Sequence, residues 1–285
     1  MYNIGLVINL EKDPFLEYSK KLKDYILSLG RKVIVLEKFK EALGLSESVP
    51  NLDEICRKSD FVTVLGGDGT ILTVARCASV YKTPILGINL GTLGYLADVE
   101  KSDAFKAVEK VLNNNFSIEK RMMLEVFKDG KPFNNNFGLA LNEVCLRNST
   151  FSRMIKFEMR INDEFIDSYR ADGVIVSTAT GSTAYNLSAG GPILKPDTEL
   201  ISITQLCPHT LYARPYVVSG NDVIKLKVKD SEKNVVLVLD GIETVNTEES
   251  SEIIIKRSKF FTHIIKTTGL GFYDILRRKM VEIRK

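Results

Sequence analysis

The sequence predicts two domains: an α/β N-terminal domain with a parallel doubly wound sheet, and a β-rich C-terminal domain. The chain has 285 residues, more than one core usually needs. Strand-like and helical patterns alternate up to about residue 112, and short β-like runs separated by turn residues follow to about residue 265. We therefore expect a first domain at 1–117, a second at 118–267, and a C-terminal helix at 268–285 that packs back on the first.

In the first domain, apolar runs predict strands at 4–10, 33–36, 61–65 and 85–89. Tyr18, Leu22 and Ile26 recur at helical spacing, a second helix is expected over about 70–80, and a third carries Phe105 and Val108 on one face. Nearly continuous apolar strands that alternate with helices are typical of a parallel sheet covered on both faces. The turn residues at 113–115 mark the end of this pattern.

The second domain carries β-like runs at 140–146, 155–161, 173–177, 223–228, 235–239 and 253–255. The segment at 272–283 is helical in pattern and basic. No internal repeat or low-complexity tract interrupts the two domains.

Composition excludes several classes of protein. The 39 basic and 36 acidic residues are spread along the chain, so no strong field favours nucleic acid as a partner. The four cysteines lack the spacing of a zinc site and the density of a disulfide scaffold, which favours reduced, buried thiols. The chain shows neither a signal peptide nor an apolar run of the roughly 18 residues that span a bilayer, so we expect a cytoplasmic protein without a membrane partner.

A glycine-rich segment at 66–70 follows a predicted strand and opens a predicted helix. Gly66, Gly67 and Gly69 allow close approach of the backbone, and free amides at a helix start bind phosphate oxygens. Asp68 would repel a phosphate unless a metal or a reacting hydroxyl lies between them, which indicates a chemical role. The alternative is a tight turn in which Asp68 is only the N-cap. Neither GxxxxGK[ST] nor GxGxxG occurs in the chain.

Two further segments carry polar residues where a ligand could bind. The first runs from Arg170 to Pro192, and its small and hydroxylated residues with one aromatic, Tyr185, suit a crevice for a polar ligand with a base. The alternative is a small-residue helix packed on a sheet. The second is Asn142–Glu143 within an apolar run, where both side chains cannot be solvated if the strand is central. An edge strand or a strand end is the alternative there.

Together, these segments resemble the NAD kinase family in their order and spacing. The matching motifs are GGDGT at 66–70, GTLGYL at 91–96, NE at 142–143 and the block from Asp172 to Pro192 that contains GSTAY and AGGP. PHT at 208–210, DG at 240–241 and FYDILR at 272–277 extend the resemblance over nearly the whole chain. Lipid kinases and phosphofructokinases share a GGDG loop, whereas the GSTAY-to-AGGP block is highly specific.

The resemblance implies that the protein transfers the terminal phosphate of ATP, or of a related nucleotide or polyphosphate, to the 2′-hydroxyl of the adenosine ribose of NAD. It implies Asp68 as the catalytic residue facing that ribose. The implied phosphate-donor loop is Gly66, Gly67, Gly69 and Thr70, and the implied cleft wall is Gly94 and Tyr95. The implied NAD-binding residues are Asp68, Gly69, Asn142, Glu143, Arg153, Arg170, Asp172, Thr180, Thr183, Ala184, Tyr185 and Ser188.

Within that set, Asp172 would bind the carboxamide end with Thr180 nearby, and Arg170 and Arg153 would contact ligand across a subunit interface, because family members are commonly homodimers or homotetramers. A divalent metal, Mg²⁺, is implied without identifiable protein ligands. Two positions depart from the family pattern: Ala179 stands where proline is frequent, and Ile242 stands where glutamine is frequent. The alternatives are a GGDG-loop lipid kinase and a non-catalytic dinucleotide-binding regulator.

Overall fold

The computed structural model describes residues 2–133, 138–148, 154–229, 235–247 and 251–282. The chain divides into two compact units: unit 1 comprises Met1–Lys120 and Phe261–Lys285, and unit 2 comprises Arg121–Phe260.

The first part of the chain alternates strands and helices. In chain order, the elements are β1 (Asn3–Ile8), α1 (Glu17–Ser28), β2 (Lys32–Leu36), α2 (Glu37–Leu43), β3 (Ser48–Val49), α3 (Leu52–Lys58), β4 (Phe61–Gly66), α4 (Asp68–Tyr81), β5 (Ile85–Asn89), β6 (Val99–Glu100) and α5 (Ala104–Leu112).

The rest of the chain is mostly strand. Its elements are β7 (Ser117–Lys128), β8 (Lys131–Pro132), β9 (Leu139–Ala140), β10 (Glu143–Asn148), β11 (Ile155–Ile161), β12 (Glu164–Ala171), β13 (Gly173–Thr178), α6 (Tyr185–Ser188), β14 (Leu200–Leu206), β15 (Tyr216–Ser219), β16 (Ile224–Lys229), β17 (Val235–Leu239), β18 (Glu243–Thr247), β19 (Glu252–Lys266) and α7 (Phe272–Glu282).

The sheet of unit 1 is parallel, in the order β3-β2-β1-β4-β5, with β6 and the end of β19 both paired to β5. Helices cover both faces. On one face, Leu22 of α1 and Val108 of α5 share a core with the strands. On the other face α3 approaches closely, since a Cβ added to Gly5 would lie 2.6 Å from Ile55 Cγ2. The predicted parallel doubly wound sheet is confirmed.

Unit 2 is built from antiparallel strands. One sheet has the order β15-β14-β13-β10-β17-β18, and a second ladder runs β12-β11-β16 and on to the first part of β19. The predicted β-rich character is confirmed. The apolar run expected over 140–146 is interrupted, because β9 ends at Ala140 and β10 begins at Glu143.

The C-terminal helix α7 belongs to unit 1. Ile275 is buried, and the ring centroid of Phe272 lies 6.3 Å from that of Tyr95. In the same unit, β1, β4 and β5 are neighbours and run parallel, so the segments after Ile8, Gly66 and Asn89 leave the sheet along one edge. In open α/β sheets, ligands bind at this carboxyl edge.

Candidate functional site

The glycine-rich loop joins β4 to α4 at the carboxyl edge of the unit 1 sheet. Gly67 is the N-cap residue and α4 begins at Asp68, so the amides of Asp68 and Gly69 point out of the helix without acceptors inside it, whereas the Thr70 N–H bonds to Gly67 O at 3.0 Å. A Cβ on Gly66 would lie 2.3 Å from Thr70 Oγ1, and that hydroxyl accepts a hydrogen bond from Asn9 Nδ2 at 3.1 Å. This close packing requires glycine at position 66 and fixes the first turn of α4 against the end of β1.

The Asp68 carboxylate does not cap its own helix. It accepts backbone N–H bonds from Tyr95 at 2.8 Å and from Leu96 and Ala97 at 3.0 Å each. Gly94 lies against it, because a Cβ there would be 2.1 Å from Asp68 Oδ1. The N-cap alternative for Asp68 is therefore wrong: its side chain fixes the neighbouring loop at 94–97. The loop that contains Gly94 and Tyr95 and the glycine-rich loop thus form one cluster.

Lys12 completes this cluster in unit 1, and sequence reasoning missed it. Its ammonium nitrogen lies 3.0 Å from the position of a Cβ on Gly67 and 3.2 Å from that of a Cβ on Gly91. Among the described residues, no hydrogen bond or ion pair involves this ammonium group. The Lys12 segment is anchored at Asn9, whose main-chain oxygen accepts the Lys12 N–H at 3.2 Å. A cation close to the start of a helix is electrostatically unfavourable unless an anion joins it.

In unit 2, Asn142 and Glu143 stand at the start of β10, a central strand between β13 and β17. The strand-end alternative for these polar residues is thus the observed one. The buried Asp240 carboxylate accepts the amides of Leu141 at 2.8 Å, Asn142 at 2.8 Å and Glu143 at 3.1 Å. Asp240 itself has a positive φ of 51° at the end of β17. This carboxylate defines the break between β9 and β10.

Glu143 is a buried carboxyl group beside Asp240. Burial, with a smaller contribution from the Asp240 charge, raises the pKa of Glu143 to about 8. Within the described part of the chain, its Oε2 has no hydrogen-bond partner, and the same holds for Thr180 Oγ1. Buried polar atoms of this kind are uncommon in folded proteins and are typical of sites that a ligand completes.

The segment after β13 folds back on Asn142. Thr178 donates its backbone N–H to Asn142 O at 2.8 Å, and Gly181 lies so close that a Cβ there would be 2.2 Å from the same oxygen. A 3₁₀ turn at Gly181–Thr183 and the single helical turn α6 follow. The small-residue helix considered as an alternative is therefore limited to the four residues of α6.

The side chain of Asn186 holds this segment together through hydrogen bonds. It is fully buried, and its amide bonds to Pro192 O at 3.2 Å and accepts from Thr204 Oγ1 at 2.7 Å. Gly191 packs on it, since a Cβ there would be 2.3 Å from Asn186 Oδ1. Gly190 has a φ of +82°, which favours glycine. These contacts explain why the sequence has glycines there.

The remaining residues of the segment face outward. Tyr185 is 41% exposed, Ser188 is exposed, and Thr183 and Ala184 are half-buried. Burial raises the pKa of Tyr185, and the nearby Arg147 charge opposes that rise in part. Tyr185 thus presents an aromatic ring at the surface of unit 2.

Arg170 and Asp172 do not join this group. Both are exposed, and they flank the start of β13, where Gly173 pairs with Arg147. Glu143 pairs with Ser177 at the other end of the strand, about 13 Å away at roughly 3.3 Å per residue. The expectation that Thr180 lies near Asp172 is wrong within one chain, because an extended strand separates them. Arg153 lies outside the described residues.

No group of three or more His, Cys, Asp or Glu side chains that could hold a metal ion occurs among the described residues. No helix in the described part is long and apolar enough to cross a membrane.

Comparison with known proteins agrees with the resemblance in the sequence. Residues 4–116 match the model of the ATP-NAD kinase N-terminal domain, and residues 141–267 match that of the C-terminal domain. An NAD kinase of Caldanaerobacter subterraneus is 42% identical over 285 residues, covering 99% of this chain and 100% of the relative. An NAD kinase of Acetivibrio thermocellus is 40% identical, with coverages of 99% and 98%.

Solved structures give the same result. Yeast NADH kinase complexed with NADH superposes with a TM-score of 0.86 at 26% identity, over 97% of this chain and 86% of that one. An NAD kinase from Archaeoglobus fulgidus in complex with ATP gives 0.77 at 25% identity, over 99% and 98%. The chain therefore belongs to the ATP-NAD kinase family, and it is a phosphotransferase that acts on NAD.

Proposed function

We propose that this protein phosphorylates the 2′-hydroxyl of the adenosine ribose of NAD, with Asp68 as the residue that orients the hydroxyl and accepts its proton. The observation that carries the proposal is the fixed carboxylate of Asp68, which is bound by three backbone amides beside the glycine-rich loop. The names of the relatives support the activity, and the NADH and ATP complexes of the neighbours support the two substrates.

The chemistry requires position more than basicity. Phosphoryl transfer has a loose transition state in most analyses, so the attacking hydroxyl loses its proton late and a carboxylate is an adequate base. The three amides fix the rotamer of Asp68, while Oδ2, which accepts only the Tyr95 N–H, keeps a lone pair for a hydroxyl donor. Asp68 thereby acts by alignment, which is where such enzymes gain most of their rate.

The donor phosphates would bind at Gly66, Gly67, Gly69 and Thr70, where the first amides of α4 point outward. Lys12 supports this placement, because its ammonium group lies over both Gly67 and Gly91 and has no partner among the described residues. A Mg²⁺ ion would neutralise phosphate charge when bound. The described residues include no group of three or more side chains that could hold this ion. Phosphate oxygens and water would therefore supply most of its ligands, which is usual for Mg²⁺.

NAD would bind in unit 2 at Asn142 and Glu143 and along the segment after β13. With its pKa raised to about 8, Glu143 is neutral at pH 7 and can donate a hydrogen bond to a ligand oxygen from Oε2. Thr180 Oγ1 offers a second buried hydroxyl. Tyr185 would stack on a base, and the flanking residues Thr183, Ala184 and Ser188 would line the same surface.

We further propose that Arg170, Asp172 and Arg153 contact ligand bound to another subunit of a homo-oligomer in the cytoplasm. The separation of Arg170 and Asp172 from Glu143 along β13 supports a role for the first two outside their own chain's site. ATP is the first choice of donor, and other nucleotides or polyphosphate are the next candidates.

A single assay tests the function. Transfer of radiolabelled phosphate from ATP is measured with NAD, NADH and a diacylglycerol dispersed in detergent as acceptors, with Asp68→Ala protein as the background. We expect labelled NADP from NAD and no labelled lipid. Labelled lipid would instead indicate a GGDG-loop lipid kinase. If calorimetry detects NAD binding while neither ATP, another nucleotide nor polyphosphate labels any acceptor, the protein is a non-catalytic regulator.

A further inference from the structure

Two cysteines that are far apart in sequence are neighbours in unit 1. Cys56 lies in α3 and Cys77 lies in α4, and their Sγ atoms are 3.1 Å apart, so one thiol donates a hydrogen bond to the other. A disulfide has an S–S length of about 2.05 Å. The two sulfur atoms would therefore have to approach by only about 1 Å for a bond to form.

The two thiols differ in a way that suits a stepwise oxidation. Cys56 is buried at 1% exposure, whereas Cys77 is partly exposed and gives a reagent access to the pair. The hydrogen bond from Cys56 lowers the pKa of Cys77, and the same contact together with burial raises the pKa of Cys56. Cys77 is therefore the sulfur that a dissolved reagent reaches first, and its thiolate is the nucleophile in such reactions.

We propose that Cys56 and Cys77 form a reversible dithiol–disulfide site that peroxides oxidise, and that the bond joins α3 to α4 without impairing the kinase site. The Cys77 thiolate attacks one peroxide oxygen, the O–O bond breaks, and a sulfenic acid forms. The Cys56 thiol then attacks that sulfur, forming the S–S bond and releasing water. In sum, two thiols and one hydrogen peroxide give one disulfide and two water molecules.

The position of the pair explains why activity should survive. Cys77 lies nine residues after Asp68 in α4, which is about 13 Å along the helix axis at roughly 1.5 Å per residue. The amides that fix Asp68 come from Tyr95, Leu96 and Ala97, and none of these contacts involves α3. A covalent link at Cys77 should leave the first turn of α4 in place.

The other cysteines provide matched controls. Cys145 is buried in unit 2, and Cys207 is exposed there. Neither forms a thiol–thiol contact among the described residues. If proximity decides the outcome, peroxide should join only Cys56 and Cys77, although Cys207 is the more exposed thiol.

The experiment treats the folded full-length protein with a small excess of hydrogen peroxide, followed by quenching, alkylation and mass spectrometry. Before alkylation we expect a loss of about 2 Da, and after it a Cys56–Cys77 cross-linked peptide, both reversed by dithiothreitol. Cys56→Ser and Cys77→Ser should each abolish the cross-link, and Cys207→Ser should retain it. Absence of the cross-link in wild-type protein, or a cross-link that uses Cys207 instead, would overturn the proposal.

Activity is measured on the same oxidised sample and on its reduced aliquot. We expect turnover rates within twofold of each other, and a larger loss on oxidation would contradict the second half of the proposal. The cross-link is detected by mass, so its presence does not depend on whether the protein phosphorylates NAD.

Discussion

Asp68 and Asp240 have the same structural role in different units. Each carboxylate accepts the amides of three successive residues, 95–97 for Asp68 and 141–143 for Asp240. Hydrogen bonds to charged groups contribute about 1.5–3 kcal/mol each, so both carboxylates stabilise the loops they contact. A substitution at Asp68 therefore changes chemistry and structure together, and an experiment must separate the two.

Asp68→Asn should lower kcat by about 10²–10⁴-fold, because the amide cannot accept the hydroxyl proton. It should also lower stability by roughly 1–3 kcal/mol, since an NH₂ group would face one of the backbone N–H donors. Turnover, NAD affinity and melting temperature are measured on one preparation. A decrease in kcat no larger than the decrease in folded protein would assign Asp68 a purely structural role.

Lys12→Met should raise the KM for ATP by roughly ten- to a hundredfold, because a charge-assisted bond to phosphate is worth about 1.5–3 kcal/mol. The KM for NAD should stay within twofold. Lys12→Arg should restore most of the affinity for ATP, and the exposed Lys20 in α1 gives the matched control Lys20→Met. Equal ATP affinity in wild-type and Lys12→Met protein, measured by calorimetry, would remove Lys12 from the donor site.

Glu143 makes stability depend on pH. Burial raises its folded pKa to about 8, above the value of about 4.3 in an unfolded chain. The contribution of the protonated Glu143 to stability is therefore fully present below the unfolded pKa. It is lost as the pH rises through about 8, because the folded protein holds this proton more tightly than the unfolded chain does. The side chain of a Glu143→Gln variant does not titrate, so its stability lacks this dependence on pH.

Relative to wild type, Glu143→Gln should thus gain stability between pH 5 and pH 9, on the order of a few kcal/mol. Urea unfolding of both proteins at pH 5, 7 and 9 measures the difference. A constant difference across this range would mean that Glu143 is already ionised in the folded protein.

At the scale of elements, the loop at 94–97 positions the Asp68 carboxylate. The loop at 94–97 contributes its amides to Asp68, and the ring of Tyr95 contacts α7, with Lys279 Nζ 5.6 Å from the ring centroid. Asn89 fixes the start of this segment by accepting the Gly91 N–H at 2.8 Å. At its other end, Asp98 forms a buried ion pair with Lys266 at 2.9 Å. The segment from Gly91 to Asp98 is thereby attached to four elements, α4, α7, β5 and β19.

Gly94→Ala should displace this loop, because the added Cβ would lie 2.1 Å from Asp68 Oδ1. We expect a loss of kcat of at least about tenfold, as small displacements of positioning groups have effects of this size or larger. Gly269→Ala is the matched control, since a Cβ there meets nothing within 4 Å. Unchanged kcat in a folded Gly94→Ala variant would show that the loop geometry is not required.

At the scale of the whole molecule, the role proposed for Arg170 and Asp172 predicts the oligomeric state. Arg170 and Asp172 lie at the opposite end of β13 from the strand position paired with Glu143. If they act at a ligand bound to a second copy, the protein should be a homo-oligomer. Its mass in solution should then be a multiple of that of one chain.

Light scattering measures that mass, and subunit mixing tests the shared site. Asp68→Asn and Asp172→Ala subunits, each weakly active alone, should regain activity after co-refolding, because mixed oligomers contain one site with both native residues. A monomer with full activity would contradict the prediction. Absence of complementation in a proven oligomer would place Asp172 outside the partner's site.

Local sequence patterns were sufficient to predict several features of the fold and the family. Alternation of apolar strands and helices predicted the parallel sheet of unit 1, and the motifs at 66–70 and 172–192 predicted the family, because both kinds of signal lie within short stretches of sequence. The glycines of these motifs also have local explanations, such as the positive φ of Gly190. Side-chain periodicity and turn chemistry depend on neighbours in the chain, so a sequence displays them directly.

Only the tertiary structure decided which distant groups meet. The carboxylate of Asp68 contacts amides 27 to 29 residues away, and that of Asp240 contacts amides 97 to 99 residues away. The thiol pair between α3 and α4 and the placement of Lys12 beside Gly67 and Gly91 also follow from how distant elements pack. Such contacts depend on strand order, register and loop closure, which involve the whole chain at once and leave no periodic mark in the sequence.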